Sequence, residues 1–323
     1  MITVIGSMNM DLVVTTERAP EQGETVTGKE FRQIPGGKGA NQAVAAARSG
    51  ADVVMVGRIG DDAFGDALLR TMAEDPIDIT HIQKVKDVPT GIASITVDRR
   101  GHNRIIVVPG ANGTFTPEDI ESYRSLIARS NVLLLQHEIP LKAVEKAIMI
   151  AREEGVFCIL NPAPATALPN FFYQYVDLMT PNESELSLLS GKPTDERAQW
   201  LEAGNVLLNL GLSTLIVTLG QHGSLIMNNK GSAHFPAYRV QMIDSTAAGD
   251  SFNGTLAAEI DRMITQRNNS TVRFSPSIDD LTPAIDYATK AAAISVTRSG
   301  AQPSIPWHAD ITQFDAWFAS HRL

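Results

Sequence analysis

Short apolar runs rich in branched aliphatic residues alternate with amphipathic runs of helical length along most of this chain. Val53–Ile59 reads as a strand and Ala63–Met72 as a helix. Val132–Leu135 reads as a buried strand, and Leu141–Arg152 as a helix that ends at Gly155. Val156–Leu160 is again a strand, Val176–Met179 leads into a helix over Asn182–Leu189, and Trp200–Leu210 precedes the strand Thr214–Leu219. Strands that are apolar throughout, each followed by a helix, predict an α/β fold: a central, mostly parallel sheet flanked by helices on both faces. The length of 323 residues exceeds a typical domain, yet large α/β folds reach it as one unit. A single domain over 1–323 is therefore expected.

Two regions break the rhythm. Leu12–Ile34 and Gly91–Val108 carry strand-like alternation instead. The polar turn Asp98–Asn103 makes the second region a hairpin. Gln266–Asp280 is polar and reads as a loop.

Chemistry concentrates in two glycine-bearing segments. In Asp244-Ser245-Thr246-Ala247-Ala248-Gly249-Asp250 small residues crowd a turn, and a helical pattern follows from Phe252. A helix start of this kind exposes free backbone N–H groups at a positive dipole end, which suits a phosphate-like anion. An acid there makes sense as the base that deprotonates a hydroxyl attacking phosphorus; Asp250 is equally a favourable first-turn or capping acid. On the first reading Ala247, Ala248 and Gly249 form the anion hole. The second segment, Pro35-Gly36-Gly37-Lys38-Gly39-Ala40-Asn41-Gln42, opens an alanine-rich helix that stops at Gly50. It is neither a P-loop nor a dinucleotide fingerprint. Lys38 and Asn41 on its first turn can donate to hydroxyls. Upstream, Thr3–Asp11 reads as a strand with a polar end on which Asn9 and Asp11 point to one side. That pair suits vicinal hydroxyls, and also an ordinary turn.

With these segments in order, the chain resembles the ribokinase family of sugar kinases. Asn161-Pro162-Ala163-Pro164, Thr180-Pro181-Asn182-Glu183, Thr218-Leu219-Gly220 and Gly300-Ala301-Gln302-Pro303-Ser304 extend the resemblance over nearly the whole chain. It implies a ribokinase-like fold in which strands from about 12–34 and 91–108 form a small β-sheet lid, with lids of two subunits clasping into a homodimer. It implies an ATP-dependent kinase that transfers the γ-phosphoryl group to the primary (5-) hydroxyl of D-ribose, or to another sugar or a nucleoside; a non-catalytic sugar-binding protein is the reading from a different class. Sugar contacts are implied for Asn9, Asp11, Gly37, Lys38, Gly39, Ala40, Asn41, Glu138 and Asp250. Glu138 follows a strand end, where open α/β sheets bind ligands, although an acid in an exposed loop is the plain alternative. Nucleotide contacts are implied for Asn182, Glu185, Thr218, Gly220, Gly223, Gly249 and Thr289. Asn182-x-x-Glu185 also fits a capping box, and in the family it organises magnesium. Gln221, His222 and Thr289 depart from the family pattern near the adenine. A monovalent-cation site, potassium in the family, is implied at Asp244, Thr246, Ser295, Arg298, Gly300 and Ser304.

Composition narrows the partners. A net charge of −9 without a basic stripe argues against nucleic acid. One cysteine, Cys158 in an apolar run, excludes an internal disulfide framework and reads as buried and structural. The seven histidines show no ligand spacing for zinc. No apolar run reaches the roughly 18 residues of a membrane span, and a strand that starts at Met1–Gly6 leaves no room for a signal peptide. A cytoplasmic protein is expected.

Overall fold

The computed structural model describes residues 1–267 and 273–322. Nine strands form one sheet, in the order Gly231–Phe235, Ser224–Asn228, Thr214–Thr218, Leu178–Met179, Phe157–Leu160, Val132–Leu135, Ile2–Ile5, Val53–Gly60 and Ile77–Val85. The seven from Thr214–Thr218 onward pair in parallel, and the Ser224–Asn228 and Gly231–Phe235 strands add an antiparallel edge. The alternation of side chains along each strand divides the interior in two. Ile5, Leu133, Leu135, Cys158, Leu160, Leu215 and Val217 pack on one face with Val144, Ile148 and Leu207 from the helices Leu141–Glu154 and Arg197–Asn209. Val4, Val132, Leu134, Ile159 and Ile216 pack on the other with Val44, Leu256 and Ile285 from the helices Lys38–Arg48, Ala248–Gln266 and Ile278–Ser295. Strands buried on both faces are what near-continuous apolar runs demand. Cys158 is fully buried, as its apolar surroundings predict.

A second sheet of four strands stands apart, in the order Gly28–Gly36, Asn9–Thr16, Gly91–Val97, Asn103–Val108. The two regions read as lid strands thus do form one small sheet, with shifted limits. The first strand begins at Asn9 rather than Leu12, the second runs to Gly36, and residues 17–27 between them are not strand. Pairing of Asn9 with both Gly36 and Gly91 carries this sheet down to the main body. The hairpin through Asp98–Asn103 forms as its turn residues predict.

Three elements differ from the sequence reading. Ile77–Val85 joins the main sheet as an edge strand, and its irregular burial hides the period of two. The antiparallel hairpin Ser224–Phe235 interrupts the β-α rhythm. Of Gln266–Asp280, residues 268–272 lie outside the described residues, Gln266 ends a helix, and Ile278 begins another. Ser277 caps that second helix: its hydroxyl accepts from the Asp280 N–H at 3.1 Å and the Asp280 carboxylate accepts from the Ser277 N–H at 2.8 Å. This serine–aspartate box made a polar stretch look like loop.

The helices Lys38–Arg48 and Ala248–Gln266 approach so closely that a Cβ on Gly254 would lie 2.3 Å from the Gln42 carbonyl oxygen and 2.6 Å from the Ala45 Cβ. We expect Gly254→Val to force the helices apart and to cost about 2 kcal/mol or more, the scale of overpacking a tight core. Thermal or denaturant unfolding measures it, and a variant as stable as the parent would contradict this packing.

Candidate active site

The polar groups singled out in the sequence converge at the C-terminal edge of the parallel strands. The turn after Ile2–Ile5 and the start of the helix Lys38–Arg48 interlock first. Gly37 caps that helix with φ 91, a conformation that side chains resist. The Ala40 N–H donates to the Ser7 carbonyl at 2.9 Å. Glu138, just past the strand Val132–Leu135, places one carboxylate oxygen at this helix start. That oxygen accepts from the Lys38 N–H at 3.0 Å, from the Ser7 hydroxyl at 2.5 Å and from the Asn9 amide at 3.4 Å. An anion at a helix N-terminus is held by the unpaired N–H groups and by the dipole. Glu138 therefore lies in the cluster, and part of its capacity serves to cap the helix.

Asn9 is oriented by a residue that sequence reading missed. Asn112, buried in the turn Gly110–Thr114, donates to the Asn9 side-chain oxygen at 2.8 Å. The same side chain donates to the Met8 carbonyl at 3.0 Å and accepts from the Met8 N–H at 2.9 Å. An isolated Asn after a hairpin carries no local signal, since its partners lie more than a hundred residues away in sequence.

Asp250 sits in the first turn of the helix Ala248–Gln266 and is buried. Both carboxylate oxygens are held across the interhelical contact: Asn41 donates to Oδ2 at 2.9 Å and Gln42 to Oδ1 at 2.9 Å. The Asn41 Oδ1 has no partner among the described residues. Ala247, with φ 61, begins the helix in a left-handed conformation. Of the three amides in this turn, the Ala248 N–H donates to the Ser245 carbonyl at 3.3 Å, whereas Ala247 and Gly249 have no acceptor among the described residues. A Cβ on Gly249 would meet nothing within 4 Å. The turn therefore opens onto free space with N–H groups to spare.

Charge completes the cluster. Burial alone would pull the Lys38 ammonium down, but Asp250, Glu138, Glu185 and Asp11 around it outweigh burial and hold it above its usual value. Asp11, on the first strand of the small sheet, is pushed up to about 7 by burial and by the negative charges of Glu138 and Asp250, with Lys38 opposing. Its carboxylate has no hydrogen-bond partner among the described residues, and Gly36 makes room for it: a Cβ there would lie 2.6 Å from Oδ2. Gly39 and Ala40 supply only backbone at this point and are buried.

The groups implied for the nucleotide line the neighbouring strand ends. Asn182 and Glu185 form the reciprocal capping box of the helix Glu183–Ser190, at 2.8 Å in both directions. Burial raises the Glu185 carboxyl, while the Asn182 N–H and the Lys38 charge work against that rise. Thr218 bridges to Asn182 and its N–H donates to the Pro181 carbonyl at 2.9 Å. Gly220 and Gly223 follow with φ 51 and 90. The Thr289 hydroxyl donates back to the Ile285 carbonyl at 2.7 Å, so it serves its own helix. At the implied cation site, the Asp244 carboxylate accepts from the Thr246 N–H at 2.9 Å and from the Gly300 N–H at 3.0 Å, which fastens the two loops together. These bonds hold Asp244 below the usual carboxylate range against the effect of burial. The Ser295 and Ser304 hydroxyls both donate to nearby carbonyls, at 2.9 and 2.8 Å, and the Arg298 side chain turns to Asp310. No cluster of three or more His, Cys, Asp or Glu side chains able to cage a metal occurs among the described residues.

An open α/β sheet with a separate small β-sheet, and a buried acid at a small-residue turn that starts a helix, fit a sugar phosphotransferase. The chain belongs to the pfkB family of carbohydrate kinases, which it matches over residues 1–308. It is 38% identical to the ribokinase of Staphylococcus aureus over 313 residues, covering 97% of this chain and 98% of that one. It is 35% identical to the deoxyribokinase of Salmonella typhi over 319 residues, covering 98% of each. The solved structure of Arabidopsis thaliana ribokinase complexed with ribose and ATP superimposes with a TM-score of 0.84 at 30% identity, over 97% of both chains. The chain is an ATP-dependent sugar kinase.

Asp11 yields a pH prediction. Its unfolded carboxyl titrates near about 3.9 and its folded one at about 7. Between those values the folded chain holds a proton that the unfolded chain has lost, so stability falls as pH rises through the window. Asp11→Asn removes the effect. Unfolding of both proteins at pH 5 and pH 8 should show the parent losing ground to the variant at the higher pH; parallel behaviour would contradict the raised carboxyl.

Proposed function

We propose that the chain is an ATP-dependent D-ribose kinase, built as one catalytic unit over 1–323, that phosphorylates the primary 5-hydroxyl. The observation that carries this is the seating of Asp250: a buried acid, gripped on both oxygens, at the foot of a turn that offers free N–H groups to an anion. Phosphoryl transfer asks mainly for positioning and charge neutralisation. Asp250 aligns the hydroxyl and takes its proton as the new P–O bond forms. The bond from phosphorus to the β-phosphate oxygen breaks, and ADP leaves with that electron pair. The Ala247 and Gly249 N–H groups face the phosphoryl oxygens, and Lys38 neutralises charge between sugar and phosphates.

Asp11 and the free Asn41 Oδ1 supply acceptors for vicinal hydroxyls, beside Asn9 and Glu138. We assign Glu185 as the acid nearest a magnesium ion that would arrive on the phosphates; when bound, the ion would neutralise phosphate charge. Asp244 fastens the two loops at which the family resemblance implies a monovalent cation, and we assign that position to potassium. No helix among the described residues is long and apolar enough to cross a membrane; we assign the enzyme to the cytoplasm, as suits a kinase that draws on ATP.

The similarity to deoxyribokinases motivates the second reading, a kinase of 2-deoxyribose. A site built around a hydroxyl is left with an unpaired polar group when that hydroxyl is missing. ADP release measured over ribose, 2-deoxyribose, fructose and adenosine should favour ribose, and equal efficiency on ribose and 2-deoxyribose would move the assignment to the second reading. Asp250→Asn in the same assay should lower turnover by at least about a hundredfold, the scale for a positioned acid–base group. Near-full turnover would remove Asp250 from its role.

The small sheet supports a homodimer. Its outer strand Asn103–Val108 is exposed throughout, with Ile106 at 69% and Phe31 on the strand Gly28–Gly36 at 56%. An unpaired apolar edge strand is a ready template for a second chain, and a second copy of this sheet is the partner we assign. Sedimentation at working concentration should give a dimer, and Ile106→Asp should shift it towards monomer. A monomeric parent would refute the clasp and leave the kinase assignment standing.

A further inference from the structure

Gln42 was read from sequence only as part of the glycine-rich helix start, and beyond its bond to Asp250 no role has been given to it. In the structure it is fully buried and forms the centre of a chain of side chains with one consistent direction. Its Nε2 donates to Asp250 Oδ1 at 2.9 Å and to Asn161 Oδ1 at 3.0 Å. Its Oε1 accepts from Gln136 Nε2 at 2.7 Å. Asn161 in turn donates to the Thr180 carbonyl at 3.0 Å. The Thr180 hydroxyl donates to Asn253 Oδ1 at 2.5 Å, and Asn253 Nδ2 donates to the Gly249 carbonyl at 2.8 Å.

This order leaves the amide one orientation. A carboxylate only accepts, and Asn161 must turn its oxygen to Gln42 because its nitrogen serves Thr180. Both Gln42 hydrogens are thereby committed, and Gln136 fills the oxygen. Asn41, on the other carboxylate oxygen, is differently placed: its own Oδ1 has no partner among the described residues, and it lies on the helix start that carries Lys38.

We infer that Gln42 is a positioning residue for phosphoryl transfer: it anchors Asp250 Oδ1 so that Oδ2 is the oxygen that meets the sugar hydroxyl. The proton moves from that hydroxyl to Oδ2, the hydroxyl oxygen bonds to phosphorus, and ADP departs with the electrons of the broken bond. Gln42 neither gives nor takes a proton. Through Asn161, Thr180 and Asn253 the same chain sets the Gly249 peptide, so the base and the anion-binding turn share one register. Hydrogen bonds linked in series within a dry interior reinforce one another and restrain the groups they join.

The inference rests on Asp250 as the base, and a double-mutant cycle separates the two. Gln42→Met keeps the length and removes both donors. In the ribose and ATP assay we expect kcat to fall by about tenfold to a hundredfold, the scale on which a small misplacement of a reacting group is felt, while the KM for ribose stays within about threefold. In an Asp250→Asn background the same change should have no further effect on kcat. If Asp250→Asn is crippled and Gln42→Met turns over normally, the positioning role is overturned and the base survives. If Asp250→Asn is active, the base fails and this inference with it. If Gln42→Met raises KM as much as it lowers kcat, or multiplies fully with Asp250→Asn, Gln42 acts on general structure and the inference is also overturned. Should Gln42→Met not fold, Gln136→Met decides: it leaves Gln42 in place but frees its oxygen, and a fall in kcat at constant KM supports the role, whereas an unchanged kcat overturns it.

Discussion

Two helices that meet over glycine and alanine hold the cluster together. Gly254 presses its backbone against the Gln42 carbonyl, and Ala45 and Ala46 flank the contact. Only there can short amides from one helix reach a short carboxylate on the other. Asn41 and Gln42 span the remaining gap to Asp250 at 2.9 Å each. A larger residue at the crossing would lengthen both bonds together. The chemistry thus depends on a contact whose own residues are apolar or absent.

Much of this was legible in the sequence, because it is written in local terms. The apolar runs marked the parallel strands and their helices, residue for residue at Val132–Leu135 and Ala63–Met72; Thr3–Asp11, read as one strand, is instead split into Ile2–Ile5 and Asn9–Thr16 in different sheets, and the helix read from Trp200 begins at Arg197. The capping pattern at Asn182 forms as written. The small-residue turn before Asp250 marked a helix start, and one is found there. Departure from the β-α rhythm marked the second sheet, though the strand limits moved to Asn9 and Gly36 because Asn9 pairs at the base of the sheet, beyond any alternation a reader would count.

What stayed hidden is non-local. Asn112, Gln136 and Asn161 lie in separate connections, and nothing near each of them in sequence hints at a buried amide network. The engagement of Glu138 with a helix start a hundred residues away was equally invisible. Ile77–Val85 escaped notice because an edge strand is buried on too little of its surface to show a clean period. Sequence patterns report which face of an element is dry. They do not report which polar groups meet across the fold once that face is buried.

The clasp of Asn112 on both backbone groups of Met8 has a consequence for how such a site changes over time. It pins the chain where it leaves the main body, one residue before the small sheet begins. Asn9 is thereby tied to the rigid body, while Asp11, two residues on, belongs to the roof. With the roles proposed above, the groups that hand over the phosphoryl unit and the group that inspects the sugar stand on opposite sides of that pin. Ancestral substitutions beyond it could retune which sugar is admitted while leaving the transfer machinery untouched.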